Sequence, residues 1–315
     1  MMQEHVSVMR DTCIDLLTPA LNKSETPIVV DATLGLGGHS EALLEANPNL
    51  VLIGIDRDLD AIKKAQSRLA KYENRIHLNH SVFDEITEVV KSFGFEKVDG
   101  ILFDLGVSSM QLDQSERGFS YSHDAPLDMR MDRSTGITAS EILNSYAPGE
   151  LVRILRTYGE EKFATRIVEN IIKERAKAPL NSTAQLATLV KESIPAATRR
   201  TGGNPAKRTF QALRIETNDE LGAVNRAIPQ ALELLKVGGR LVVMSFQSLE
   251  DRIVKEFFTQ ATTSGTPRDL PVDLPEFAAK FALVVRGSVL PSEAEIAANS
   301  RAQSVRLRAI ERVAA

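Results

Sequence analysis

The sequence contains a single cysteine, no tryptophan and no hydrophobic run near the length of a membrane helix. One thiol, Cys13, cannot form an intramolecular disulfide, which is typical of a chain in a reducing compartment. A membrane helix needs about 20 consecutive apolar residues, so we expect no membrane span. The first ten residues also lack the apolar core of a signal peptide. The composition therefore predicts a globular cytoplasmic protein.

Metal-binding patterns are also missing. The histidines and the cysteine do not take the spacing that zinc ligands need in structural or catalytic sites. These residues are His5, His39, His77, His80, His123 and Cys13. We therefore expect no metal site in this protein.

The formal net charge of −4 hides an uneven distribution of charged residues. Residues 151–210 contain twelve Lys or Arg and five Asp or Glu, a balance of +7, which leaves −11 for the rest of the chain. A basic segment within an acidic protein is typical of a nucleic-acid contact surface. Composition alone does not separate this interpretation from its alternative, a set of solvated helix surfaces.

Strand and helix patterns alternate through the first hundred residues. Apolar runs of strand type occupy 28–32, 50–55, 75–79 and 97–104, with amphipathic helical patterns between them at about 38–47, 58–72 and 84–93. Alternation of this kind predicts a Rossmann-like α/β fold with a doubly wound, mostly parallel sheet. Right-handed crossovers then bring the loops that follow the strands to one edge of the sheet, where ligands bind.

The alternation stops after Asp104. Residues 105–136 show no sustained period, and a loop of this length in a compact domain is usually functional. Helical patterns follow over 138–195, and then a long helix over 208–235, a strand over 240–245, a helix over 249–260 and strands near 281–286 and 304–310. We therefore predict one α/β domain from residues 1–107 and 206–315, with a loop and helical domain inserted over 108–205.

Residues 29–39, Val-Val-Asp-Ala-Thr-Leu-Gly-Leu-Gly-Gly-His, are the most informative stretch. An apolar run ends at an acid and enters a loop that contains Gly35, Gly37 and Gly38, which brings the backbone close to a nucleotide-like ligand. A dinucleotide fingerprint would require glycine at position 40, which is Ser40, and no Gly-Lys-Ser/Thr of a phosphate-binding loop follows. S-adenosylmethionine is the remaining common ligand of such a fold.

Four features match the needs of that cofactor in chain order. They are the loop 35–39, Asp56, Phe83 and Asp104. Asp56 ends the second apolar run at the distance expected for a ribose-binding carboxylate. The alternatives are a plain glycine turn, a helix cap at Asp56 and a core position for Phe83. Because an unpaired carboxylate such as Asp104 is costly to bury at the end of an apolar strand, the set favours a cofactor site.

Several longer blocks identify a family. The blocks are Asp104-Leu-Gly-Val-Ser-Ser-Met-Gln-Leu-Asp113, Glu116-Arg-Gly-Phe-Ser-Tyr121, Pro126-Leu-Asp-Met-Arg-Met-Asp132, Arg208-Thr-Phe-Gln-Ala-Leu-Arg-Ile215 and Ser245-Phe-Gln-Ser-Leu-Glu-Asp-Arg252. Through them the chain resembles the bacterial 16S ribosomal RNA (cytosine-N4)-methyltransferase family from His5 to Arg308. The resemblance implies a class I methyltransferase fold and a cytoplasmic enzyme. It also implies methyl transfer from S-adenosylmethionine to N4 of a decoding-centre cytidine in the small ribosomal subunit.

The resemblance also implies which residues form the site. Carried over by motif, the cofactor contacts fall on Gly37, Gly38, His39, Asp56, Phe83, Asp104 and Gln111. The chain departs from the family at Ala32, where glycine is usual, and at Gln247, where histidine is usual. The second departure argues against an essential imidazole at that position. Whether the enzyme is a monomer or a homodimer stays open.

Amino methylation needs an acceptor for the N4–H bond, because the N4 lone pair of cytosine is delocalised into the ring. Other amino-methyltransferases place Asp/Asn-Pro-Pro-aromatic after the fourth strand, whereas this chain has Asp104-Leu-Gly-Val. We hypothesise that the loop 104–132 replaces that motif and that Asp104, Asp128 and Arg130 are its catalytic residues. Asp104 would lie near the sulfonium, and Asp128 and Arg130 would lie on the substrate side. The alternative for Asp128 and Arg130 is an internal salt bridge that orders the loop.

A cytidine must leave its stack to reach such a pocket. The aromatic residues available to hold it are Phe119, Tyr121 and Phe210. RNA contact is expected from the basic helices and from Arg199, Arg200, Lys207 and Arg208. For Arg208 the alternative is a pair with a local acid.

Three rival functions remain. A small-molecule methyltransferase would use the insertion as a lid, but it has little need of a segment with a charge of +7. A nicotinamide-dependent oxidoreductase would need the missing third glycine. A non-catalytic RNA-binding module would not need the cofactor residues.

Overall fold

A computed structural model describes residues 7–196, 204–267 and 277–315. The chain divides into two compact units. The sheet unit comprises the chain up to Gly106 and from Leu221 onward, and the helical unit runs from Val107 to Glu220. The sequence places the return to the first domain at residue 206. The structure places it at Leu221, because the helix over Lys207–Asn218 packs against helices of the helical unit.

The strands are β1 (Ile28–Asp31), β2 (Val51–Asp56), β3 (Ile76–His80), β4 (Val98–Asp104), β5 (Leu235–Ser245), β6 (Phe281–Leu283) and β7 (Arg306–Arg312). They form a seven-stranded sheet in the order β3-β2-β1-β4-β5-β7-β6. Strands β1 to β5 pair in parallel, whereas β7 is antiparallel to both β5 and β6. The prediction of a doubly wound, mostly parallel sheet is thereby confirmed.

The helices in the described ranges are α1 (Arg10–Leu21), α2 (Gly38–Ala46), α3 (Leu59–Arg68), α4 (Ile86–Ser92), α5 (Ser109–Asp113), α6 (Ala139–Ser145), α7 (Pro148–Thr157), α8 (Ala164–Arg175), α9 (Thr183–Ser193), α10 (Lys207–Asn218), α11 (Glu220–Leu234), α12 (Ser248–Ala261) and α13 (Glu293–Ala298). Within those ranges, none has the length and apolar character that a membrane crossing requires.

The core of the sheet unit lies on both faces of the sheet. Alternate residues of a strand point to opposite faces, so Val30 joins one apolar cluster and Val29 joins the other. Every residue of β1 is buried, as expected for a parallel strand that helices cover on both sides. Helix α1, which no sequence pattern predicted, packs on one face of the sheet. Its Cys13 side chain is buried in the apolar cluster on that face.

The predicted helix over 208–235 is two helices. Asp219 lies between α10 and α11 with φ of +47°, a left-handed conformation that interrupts the ladder of helical hydrogen bonds. Aspartate tolerates this conformation better than most residues because its short side chain can hydrogen-bond locally. Strand β5 then begins at Leu235, earlier than the predicted start at Arg240, and contains Gly238 with φ of +84°.

The loop over 105–136 is fixed by its own contacts within the helical unit. The buried Arg117 guanidinium donates to the main-chain oxygens of Arg130 at 3.1 Å and Met131 at 2.8 Å. The side chain of Asn218 accepts from the Met131 N–H at 2.8 Å and donates to the Met129 oxygen at 2.8 Å. These bonds satisfy buried main-chain groups and tie the loop to α10.

Candidate active site

The side chain of Asp31 stabilises the glycine turn between β1 and α2 by hydrogen bonds. This carboxylate is 1% exposed and accepts hydrogen bonds from Ser40 Oγ at 2.6 Å and from the Thr33 N–H at 3.3 Å. Burial raises its pKa above the usual value. Gly35 and Gly37 have φ of +51° and +76°, the left-handed region that favours glycine. Asp31 therefore shapes the turn.

The N-terminal segment covers part of this turn. A Cβ on Gly38 would lie 2.1 Å from Ser7 Oγ, so the position has no room for a side chain without movement of Ser7. The ring of His39 is 7% exposed, and its Nε2 lies 2.9 Å from the Val8 carbonyl oxygen. Because a carbonyl only accepts, Nε2 carries the proton. The imidazole is thus engaged by the protein, which leaves the main chain of Gly38 and His39 for the predicted cofactor contact.

Asp56 joins the end of β2 to the glycine turn. Its Oδ2 accepts from the Gly35 N–H at 2.7 Å and its Oδ1 accepts from the Asp58 N–H at 2.8 Å. The alternative of a helix cap is wrong, because Asp58 caps α3 through the N–H of Asp60. Burial raises the pKa of Asp56 to about 6. Each oxygen keeps a second lone pair, as an acceptor for ligand hydroxyl groups requires.

Asp104 lies at the end of β4 beside the same turn, where its N–H donates to Thr33 Oγ1 at 2.6 Å. Its Oδ2 is 3.8 Å from His39 Nδ1, and its Oδ1 is buried without a hydrogen-bond partner among the described residues. Burial raises the pKa of Asp104 to about 6, with a further increase from the charge of Asp31. A buried carboxylate oxygen normally has a donor, so this atom fits a site for a ligand that brings one.

Phe83 follows β3 in a short 3-10 turn. Its half-buried ring packs edge-on against Phe103, with centroids 5.5 Å apart and an interplanar angle of 87°. Phe83 therefore packs against the core, which was the alternative to a cofactor contact in the sequence analysis. An adenine contact of the remaining ring surface stays a prediction.

Two polar side chains at the end of β5 were not among the predicted site residues. Ser245 Oγ and Gln247 Oε1 are buried and, like Asp104 Oδ1, have no hydrogen-bond partner in the described ranges. Both residues lie beside the end of β4, because β5 pairs in parallel with β4. The pairing continues past β4, where the Leu105 N–H donates to the Met244 oxygen at 3.0 Å. Three buried oxygen atoms without a partner in the described ranges therefore occur at the ends of two adjacent strands, and they comprise two acceptors and one hydroxyl group. The only sequence signal was the departure of Gln247 from the family pattern.

The remaining predicted residues belong to the helical unit. Gln111 is 4% exposed and forms a capping box at α5, in which its Oε1 accepts from the Ser108 N–H at 3.1 Å. Its side-chain oxygen therefore has a structural partner in the described part of the chain. The cofactor contact that the resemblance implies for Gln111 stays a prediction.

Asp128 and Arg130 form a bidentate ion pair. Arg130 Nε donates to Asp128 Oδ1 at 2.7 Å and Nη2 donates to Oδ2 at 3.0 Å. Burial raises the pKa of Asp128, but the hydrogen bonds and charge of Arg130 outweigh it and leave the pKa below its usual value. The internal salt bridge that the sequence left as the alternative is thus present. A carboxylate with a lowered pKa is a poor proton acceptor.

The aromatic residues considered for base stacking lie mostly in the core. Phe119 is 7% exposed and Phe210 is 3% exposed, both within the apolar cluster of the helical unit. Half-buried Tyr121 packs edge-on against Phe210 with centroids 5.6 Å apart. The stacking role is wrong for the two phenylalanines, because packing covers their rings. Arg199 and Arg200 lie outside the described residues.

The order of the sheet and the residues at its edge define the class of protein. An antiparallel β7 between β5 and β6, a glycine turn after β1 and acids after β2 and β4 are the features of class I S-adenosylmethionine-dependent methyltransferases. No cluster of three potential metal ligands occurs within residues 7–196, 204–267 and 277–315. The carboxyl edge of the sheet presents carboxylates, main-chain groups and oxygen atoms without partners in the described ranges, which suit a nucleoside with a positive charge.

Comparison with known proteins identifies the family. The model of the MraW methylase family matches residues 2–313, and the chain belongs to this family. A relative from Saccharopolyspora erythraea, named ribosomal RNA small subunit methyltransferase H, is 58% identical over 98% of this chain and 93% of its own length. Proteins of the same name from Salinispora tropica and Renibacterium salmoninarum are 56% and 54% identical, each over 98% of this chain and over 84% and 95% of their own lengths.

Proposed function

We propose that the protein transfers the methyl group of S-adenosylmethionine to the exocyclic N4 of a decoding-centre cytidine in 16S ribosomal RNA of the small subunit. The observation that carries this proposal is the 58% identity, over 98% of the chain, to a relative named for methylation of small-subunit ribosomal RNA. Because bacterial ribosomes lie in the cytoplasm, this substrate implies a cytoplasmic enzyme.

The acids at the sheet edge support cofactor binding. Asp56, fixed by the Gly35 N–H, accepts hydrogen bonds from the ribose hydroxyls with its free lone pairs. Asp104 and the turn at Gly37 and Gly38 hold the methionine part. The bound cofactor supplies an electrophilic methyl group on a positively charged sulfur. An anionic edge in a partly buried site stabilises that charge more than water-exposed carboxylates would.

The unpaired oxygens support amine methylation. Asp104 Oδ1 lies after β4, where other amino-methyltransferases have their acceptor, and Gln247 Oε1 follows the adjacent strand. An N4–H bond donated to either oxygen favours a pyramidal nitrogen, and Asp104 Oδ1 takes the proton after transfer. With a pKa of about 6, Asp104 is about nine-tenths ionised at pH 7 and can also release the proton.

The ion pair in the long loop supports a positioning role for Asp128 and Arg130. With both oxygens engaged by Arg130, Asp128 keeps the loop in one conformation rather than abstracting a proton. We therefore treat Asp128 and Arg130 as positioning residues on the substrate side. The variant Asp128→Asn tests this role, because it keeps the shape of the side chain and removes the charge. Full turnover in that variant would exclude any part of the pair in the reaction.

The experiment is methyl transfer from labelled S-adenosylmethionine to small subunits that lack the modification, with large subunits and naked 16S RNA in parallel. We expect label on small-subunit RNA, lost in Asp56→Ala and kept in Asp60→Ala, whose carboxylate is 55% exposed on α3. Cofactor affinity is measured for each variant by calorimetry. Cofactor binding without label on any RNA would contradict the proposal and favour a small-molecule acceptor.

A further inference from the structure

Some cations of the helical unit are neutralised by nearby acids. Lys177 Nζ lies 2.7 Å from the Glu174 carboxylate, and Arg214 Nε lies 2.7 Å from that of Glu220. Arg153 pairs with Glu216 at 3.5 Å. These pairs leave little positive charge for a partner on the surfaces where they lie.

A second group of exposed cations has no acidic partner within 4.0 Å among the described residues. The group comprises Arg156, Lys162, Arg166, Lys173, Lys191, Lys207 and Arg208. Long charged side chains that stay unpaired keep their full attraction for an external anion.

Contacts between segments bring four of them together, and a fifth, Lys207, directly precedes one of the four, Arg208, in the chain. Arg156, at the end of α7, donates from Nη2 to Thr165 Oγ1 at 2.9 Å in the first turn of α8. Lys162 precedes that turn and Arg166 follows Thr165 directly, both exposed. Arg208, at the start of α10, donates from Nη1 to the Glu160 oxygen at 2.8 Å. The end of α7, the start of α8 and the start of α10 therefore meet at the loop over 158–163.

The close approach of these segments depends on a glycine in the loop between α7 and α8. A Cβ on Gly159 would lie 2.7 Å from the Arg208 oxygen and 2.8 Å from the Leu155 oxygen, so only glycine fits. Gln211 Nε2 donates to the Tyr158 oxygen at 3.0 Å and adds a second link between the loop and α10. The main chain that carries the five cations is therefore closely packed at this loop.

Few acids oppose the charge at this place. Glu161 is 5% exposed and turns inward, where it accepts from the Phe163 N–H at 2.9 Å. Glu160 is exposed in the loop, and Glu169 is exposed one turn beyond Arg166 on α8. The large hydrophobic side chains that are exposed in the described residues all lie elsewhere in the chain. The surface is thus strongly basic and lacks the apolar centre of a typical protein interface.

We propose that Arg156, Lys162, Arg166, Lys207 and Arg208, here called the basic surface, bind backbone phosphates of the RNA substrate. This proposal rests on the proposed function, since it assigns where that substrate is held. Folded RNA is recognised largely through its shape and its phosphates, for which a group of neighbouring cations is suited. Each phosphate contact also releases counterions, so the binding must weaken as salt increases.

The test compares two double variants with the same charge change on the same unit. Lys162→Glu/Arg166→Glu reverses two members of the basic surface, and Lys173→Glu/Lys191→Glu reverses the two unpaired cations outside it. We expect the first to raise KM for small subunits at least tenfold and the second less than threefold. The affinity of both variants for S-adenosylmethionine, measured by calorimetry, should stay within twofold of wild type. Far-UV circular dichroism verifies that both are folded.

Salt dependence separates phosphate contacts from a general loss of structure. In Lys162→Ala/Arg166→Ala, the slope of log K against log salt for a labelled 16S RNA fragment should fall by about 1.4–1.8, because two phosphate contacts are lost. Equal KM values for the two reversal variants, or an unchanged slope, would overturn the proposal. If wild type methylates no RNA, the proposed function fails, and RNA affinity measured directly still decides on the basic surface.

Discussion

The carboxylate of Asp104 destabilises the folded protein when no ligand is bound. Burial raises its pKa from 3.8 to about 6. One pKa unit corresponds to about 1.4 kcal/mol, so ionisation in the folded state costs up to about 3 kcal/mol. The side chain is 28% exposed, and solvent screening therefore reduces the expected cost to about 1–2 kcal/mol.

We therefore predict that Asp104→Asn raises the free energy of unfolding of the apoprotein by about 1–2 kcal/mol at pH 8, relative to wild type. The folded carboxyl holds its proton more tightly than the unfolded one. The destabilisation is hence complete above pH 6 and disappears as the pH falls towards 4. The difference between the variant and wild type should be about half as large at pH 5 as at pH 8.

Urea unfolding followed by far-UV circular dichroism measures the difference, because the chain has no tryptophan for fluorescence. Asp15→Asn, which alters an exposed carboxylate on α1, is the matched control and should stay within about 0.5 kcal/mol of wild type at both pH values. The stabilised variant should at the same time bind S-adenosylmethionine more weakly. A gain in unfolding free energy that is absent at pH 8, or equal at pH 5 and pH 8, would show that the Asp104 carboxylate does not destabilise the folded protein.

Three further predictions concern the loop and the acids. Asn218→Ala should lower the free energy of unfolding by about 2–4 kcal/mol, because two buried main-chain groups lose their partners. Gly118→Ala should have a similar effect of about 2–4 kcal/mol, since the residue has φ of +75° and its Cβ would lie 2.2 Å from the Pro126 oxygen. Affinity for S-adenosylmethionine should rise by up to about a hundredfold from pH 5 to pH 7, because Asp56 and Asp104, each with a pKa of about 6, each become about tenfold more ionised.

Denaturant unfolding measures the free energies of the Asn218→Ala and Gly118→Ala variants. Calorimetry measures the affinity for S-adenosylmethionine at each pH. Unfolding free energies within about 0.5 kcal/mol of wild type would contradict the anchoring of the loop by Asn218 and Gly118. An affinity that does not change between pH 5 and pH 7 would contradict a binding role for the ionised acids. S-adenosylhomocysteine, which lacks the charge on sulfur, is the control ligand and should show the smaller pH dependence.

The sheet could be predicted because its signals are local. A buried parallel strand requires an uninterrupted apolar run, and the acid that ends such a run lies at the edge where ligands bind. Asp56 and Asp104 were therefore placed correctly from their positions at strand ends. Helix α1 escaped prediction because Pro19 lies within it and its burial comes from packing against distant strands.

The long loop could not be predicted because its structure depends on tertiary contacts. Met129 has φ of +62°, which no pattern indicated, and the chain reversal there lets Arg130 reach back to Asp128. The oxygens of Ser245 and Gln247 gain significance only through pairing of β5 with β4, whose partner residues are more than a hundred positions apart in the chain. Spacing along the sequence carries no information on such pairs.

Identification of the atom that receives the methyl group decides whether the protein is a cytosine-N4 methyltransferase. Small subunits modified by the wild-type protein with labelled cofactor are digested to nucleosides, and the product is analysed by mass spectrometry and mapped on the RNA. We expect N4-methylcytidine at one decoding-centre position, with none formed by Asp56→Ala. A methyl group on carbon 5 or on a ribose oxygen, or label spread over many positions, would contradict it.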